Sequence, residues 1–172
     1  MKLFSLISIL FWLGCASGPR YEKTVDHVDI DKFMGKWYVM AGRFTPFEKD
    51  VYNGIESYTW NTEEKRIDVS FTYNKESFDG KQKSYPQKGW IYNSTTNSHW
   101  KVSPFWPLKF DYLIVDLASD YSWTVIGVPD QDYVWIMARD YTISRSKIDE
   151  IIKSMTDKGY NMKDLVFVPH KY

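Results

Sequence analysis

The segment 66–74 constrains the fold more than any other. Ile67, Val69, Phe71 and Tyr73 alternate there with Asp68, Ser70, Thr72 and Asn74. A period of two over eight residues is a strand with one buried face. The run 55–60 precedes it and is joined to it by the polar loop Asn61-Thr62-Glu63-Glu64-Lys65, which reads as a hairpin. Further strands are expected at 37–44, 88–92, 99–103, 112–117, 122–128 and 133–139, with turn chemistry such as 93–97 and 129–132 between them. Eight strands in series with short connections indicate a sandwich or an up-and-down antiparallel barrel. Closure removes the edges that an open sheet of this length would expose. The pattern then changes. Ile148, Ile151, Ile152 and Met155 follow helical spacing, with Ser144 as N-cap and Gly159 as C-cap, and 165–168 reads as a short final strand. The expected fold class is all-β, an eight-stranded barrel with one C-terminal α-helix packed outside.

The N-terminus has a different character. Lys2 precedes an uncharged apolar run at 3–13, too short to span a membrane and of the length of a signal h-region. Gly14-Cys15-Ala16-Ser17-Gly18 follows and resembles the processing site of a bacterial lipoprotein signal, although Trp12 stands where that pattern usually has Leu. The resemblance implies a signal peptide at 1–14 and a diacylglycerol on Cys15. With no Asp at position 16, it implies an outer-membrane anchor, with the protein facing the periplasm. Residues 15–29 read as a tether and 30–172 as one barrel domain. Cys15 is the single cysteine, so no intrachain disulfide or cysteine-based metal site is possible. Lys plus Arg and Asp plus Glu number 22 each, which leaves no basic footprint for nucleic acid.

Two distant segments resemble the lipocalin family, in its bacterial outer-membrane lipoprotein branch. Gly35-Lys36-Trp37-Tyr38 matches the Gly-x-Trp at the start of that family's first strand. The segment 129–139 (PDQDYVWIMAR) is similar to the last two barrel strands of bacterial lipocalins and of apolipoprotein D. The resemblance covers most of residues 25–169 and implies structural roles for Gly35, Trp37 and Arg139. In that family the tryptophan closes the narrow end and the arginine packs across its ring, which implies for Trp37 and Arg139 a cation–π contact worth about 0.5–2 kcal/mol. Gly42 is extra relative to the family pattern, and a glycine inserted in a strand often marks a bulge.

A barrel of this size holds one small ligand. Val69, Phe71, Tyr73, Trp90, Trp100 and Tyr112 are the expected wall, with Val102 and Trp123 as further candidates and Arg43 as a polar contact. Aromatics make up 18% of the chain, and such a wall suits an acyl chain, which gains chiefly by leaving water. The expected ligand is a fatty acid or lysophospholipid, with no cofactor. The loops 44–47 and 103–110 are rich in Phe, Trp and Pro; they suit contact with a membrane surface, a lid over the mouth, or a homodimer contact. An enzyme is not expected. Cys15 lies in the export signal, and His27, His99 and His170 have no metal-ligand spacing. No phosphate loop or nucleophile elbow is present. The alternatives are an adaptor lipoprotein with a filled barrel and a lipid-modifying enzyme.

Overall fold

The computed structural model describes residues 20–46 and 48–172. The signal segment, Cys15 and Phe47 lie outside the described residues. A one-turn helix, α1 (Ile30–Phe33), precedes eight strands: β1 (Gly35–Arg43), β2 (Val51–Asn61), β3 (Arg66–Lys75), β4 (Gln82–Ile91), β5 (His99–Ser103), β6 (Phe110–Leu117), β7 (Trp123–Gly127) and β8 (Val134–Ala138). Helix α2 (Arg145–Asp157) and strand β9 (Val166–Phe167) complete the chain. Each strand pairs antiparallel with the next, and β8 and β2 both pair with β1, which closes the barrel. Strand β9 pairs with the second half of β1, at Ala41 and Gly42, beyond its pairing with β2. An edge that would otherwise stand open is thereby covered.

The alternation in β3 sorts the barrel into two faces. Ile67, Val69, Phe71 and Tyr73 join Trp37, Val39, Tyr58, Trp100, Val102, Tyr112, Ile114, Ile126 and Met137 in the interior cluster. The outward residues Met40, Ala41, Leu113, Val115, Val125, Ile136 and Ala138 form a second cluster with the apolar stripe of α2, namely Ile148, Ile151 and Met155. Ser144 caps α2 through its side chain, accepting from Lys147 N at 3.2 Å, and Gly159 takes the positive φ of +87° that ends it. The bulge in β1 falls between Val39 and Ala41, so Met40 is the extra residue and the bulge precedes Gly42. This shift turns Ala41 and Arg43 outward.

Two expectations change. Strand β4 begins at Gln82, six residues before the expected 88. Its first half (Gln82-Lys83-Ser84-Tyr85-Pro86-Gln87) lacks an apolar period, and it is held in the sheet by pairing with the long β3. The segment expected to be a tether is docked over its described part. Tyr21 N donates to Pro129 O, Val25 N to Ile114 O and Val28 N to Thr96 O. Tyr21 and Val28 are buried.

Candidate ligand-binding site

The α1 turn, the β2–β3 hairpin and the β4–β5 and β6–β7 loops gather at one end of the barrel, and that end is sealed. Phe33, Trp37, Tyr58 and Trp100 pack there at ring-centroid distances of 5.1 to 5.9 Å. Trp37 Nε1 donates to Phe33 O at 2.9 Å. Arg139 lies outside Trp37, with its guanidinium carbon 3.8 Å from the ring centroid. Its nitrogens donate to the carbonyls of Lys32, Phe33, Met34 and Lys36 at 2.7 to 3.0 Å. Three of these carbonyls lie at the end of α1, where helical carbonyls lack partners. Gly35 has a φ of +94°, and a Cβ there would meet Arg139 Nη1 at 3.4 Å. The three signature residues therefore share one closure.

Exposure on the inner face rises toward the other end. Phe71 and Tyr73 are buried, but Tyr85, paired with Phe71 and stacked on Tyr73 at 6.0 Å, is 42% exposed. Val102 is buried, whereas its partner Phe110 is 51% exposed. The apolar wall thus opens where the 103–110 loop lies. Lys83, paired with Tyr73, sits half-buried on the same face at this mouth.

The structure brings five of the six expected wall residues to the inner face. Val69, Phe71 and Tyr73 line β3, and Trp100 and Tyr112 stack on neighbouring strands at 5.4 Å with an interplanar angle of 9°. Val102 is inward as well. Trp90 is a correction. The buried inward position of β4 is its neighbour Gly89, whose Cβ would lie 3.6 Å from Ile67 and Val102. Trp90 points outward beneath Lys109 Nζ, 4.1 Å from its ring centroid. Trp123 is also outward, packed in the cluster beneath α2. Arg43 does not face the interior. Its guanidinium binds the backbone carbonyls of Gln131, Asp132, Asn161 and Lys163. In the 44–47 loop, Phe44 packs against the interior cluster.

The interior also contains polar residues that sequence reasoning missed. Glu56 stands on the inner face of β2, in register with Trp37 on one side and Phe71 on the other. It is 9% exposed. The Tyr58 hydroxyl donates to Glu56 Oε2 and is bonded to the Tyr112 hydroxyl. Burial pushes the Glu56 carboxyl up to about 7, against the opposing hydrogen bond from Tyr58, and the charge of Glu48 adds to the rise. Burial, then the negative charge of Glu56, drives both tyrosine hydroxyls well above their ordinary range. Glu48 in the β1–β2 loop is raised by burial too, although Thr45 and the Trp135 indole hydrogen-bond its carboxylate. Tyr58 and Trp60 carried a signal, because their period of two places Glu56 on the same face.

A closed eight-stranded antiparallel barrel, capped by an aromatic floor with an arginine lock and followed by an outer helix, is the lipocalin-type architecture. A family model for the lipocalin-like domain matches residues 28–170, and the chain belongs to that family. It is 25% identical to the outer membrane lipoprotein Blc of Vibrio cholerae over 167 residues, covering 96% of both chains. It is also 25% identical to the outer membrane lipoprotein Blc of Escherichia coli K12, covering 91% of this chain and 88% of that protein. In three dimensions it is similar to the cockroach allergen Per a 4, with a TM-score of 0.65, 14% identity and coverage of 91% of this chain and 97% of that one. Insecticyanin of the tobacco hornworm Manduca sexta matches at a TM-score of 0.63 with 15% identity, covering 90% and 88%. These two structures speak to the fold.

Proposed function

We propose that this protein carries one single-chain apolar ligand, a fatty acid or lysophospholipid, at the bacterial outer membrane, anchored through a lipid on Cys15 and facing the periplasm, and that it catalyses no reaction. The observation that carries the reading is the graded inner wall, sealed by Trp37 and Trp100 at one end and apolar but exposed at Tyr85 and Phe110 at the other. An acyl chain entering there gains about 25 cal/mol per Å² of surface withdrawn from water. Lys83 stands near the mouth for an anionic head. The likeness to outer membrane lipoproteins over nearly the whole chain supports the location.

Titrating the full chain with fatty acids and lysophospholipids of graded length, read by Trp emission, tests the reading. Saturation at one ligand per chain is the expected result. No response at any chain length overturns it and favours the second reading, an adaptor with a filled barrel, which the complete burial of Trp37, Phe33 and Trp100 supports. Mass spectrometry of lipid that co-purifies with the protein identifies the head group.

A further inference from the structure

The polar cluster on the inner wall has a definite hydrogen count. With Glu56 ionised, the two hydroxyl hydrogens of Tyr58 and Tyr112 are both committed, one from Tyr112 to Tyr58 and one from Tyr58 to Glu56 Oε2. The cluster then offers acceptor lone pairs and has no spare donor. Among the described residues no hydrogen bond or ion pair reaches Glu56 Oε1. The neighbours on either side are Trp37 and Phe71, which carry no charge. The other charged groups whose field reaches the cluster are Glu48, which is acidic, and Arg139, which acts on Tyr58 and whose guanidinium is bound to backbone carbonyls on the far side of Trp37. A buried carboxylate with no cation is costly, and it is stabilised by whatever donor or positive charge enters beside it.

We propose that Glu56, Tyr58 and Tyr112 form the polar end of the ligand site and that it takes a cationic hydrogen-bond donor, the ammonium of a single-chain amphiphile, in preference to a carboxylate. The inference rests on the carrier reading and narrows it, because an anionic head placed at the cluster meets only acceptors and like charge. A fatty acid is confined to one orientation, head at the mouth.

The test is calorimetric titration of the full chain with dodecylammonium, dodecan-1-ol and dodecanoate, each below its micelle-forming concentration, at pH 6 and pH 8. At pH 8 the ammonium is expected to bind about tenfold or more tightly than the carboxylate. Its lead narrows at pH 6, where Glu56 is mostly protonated. Glu56→Gln is expected to weaken the ammonium about tenfold and to leave the alcohol within about threefold, which also reports that the variant is folded. A readout on the unaltered protein is proton release at pH 7, measured in two buffers of different ionisation heat. Ammonium binding expels a proton from Glu56, and alcohol binding does not. Alcohol binding with no ammonium preference and no proton release overturns the inference and leaves carriage standing. Failure of all three ligands to bind overturns both.

Discussion

Arg139 makes the closed end a single structural unit, since one guanidinium stacks on Trp37 and binds the carbonyls that end α1. Lysine has one point charge and no planar fork, so it cannot serve both. Arg139→Lys is expected to cost about 3 kcal/mol, from the lost stack and charge-assisted hydrogen bonds. That corresponds to roughly 10 °C of Tm for a domain of this size, and an unchanged thermal melt removes the pairing. Glu56 makes a second prediction with a definite sign. Its folded carboxyl titrates near 7, against about 4.3 in an unfolded chain. The folded state therefore holds the extra proton between those values. Its contribution to stability is fully present below about pH 4.3, declines as pH rises through 7 and is level above. The loss is on the order of 3 kcal/mol. Urea melts from pH 5 to 8 should show that decline in the parent protein and a flatter profile in Glu56→Gln.

Among the elements, one of the contacts that hold the C-terminal segment depends on a missing side chain. A Cβ on Gly127 would lie 2.4 Å from the Tyr160 hydroxyl. That hydroxyl accepts from Val128 N at 3.0 Å and donates to Tyr133 O at 2.9 Å, and the ring packs on Tyr21 at 4.9 Å. Gly127→Ala is expected to displace Tyr160 from the β7–β8 turn and cost about 1–3 kcal/mol, as overpacking does. Hydrogen exchange should then accelerate after α2 before it changes in β3. Strand β4 shows how far pairing extends an element. Gln82, Lys83, Ser84, Pro86 and Gln87 have weak strand character, yet β3 supplies a full row of partners and they complete it. In α2, by contrast, the helical period, the Ser144 cap and Gly159 were all legible, because each depends on neighbours close in the chain.

At the scale of the whole molecule, Phe110 lies at the open end of the inner wall, and Phe105 and Trp106 lie along the outer face beside Ser70, Pro86 and Lys88. Phe105, Trp106, Leu108 and Phe110 are each about half exposed or more, beside Lys109. A carrier that loads from a bilayer needs such a rim. Phe105→Ser together with Trp106→Ser, in a chain that also carries Cys15→Ala, is expected to weaken liposome flotation several-fold and leave the thermal melt within a few degrees. Equal flotation would sink the idea of membrane contact through this loop.

The order of strands, the C-terminal helix and the wall positions of β3 were readable from the chain alone, since the spacing of apolar residues states which of them share a face. Which of two faces a short run turns inward was not always readable. Gly89 and Trp90 are neighbours in a run where both phases carry apolar residues, and only the pairing of Gly89 with Ile67 and Val102 decides that Trp90 looks outward. Arg43 was turned away by a one-residue bulge at Met40. Glu56 is buried by the closure of β2 against β1 and β3. Burial of a polar residue is set by strands distant in sequence, and so the fold alone placed an acidic group among the aromatics of the wall.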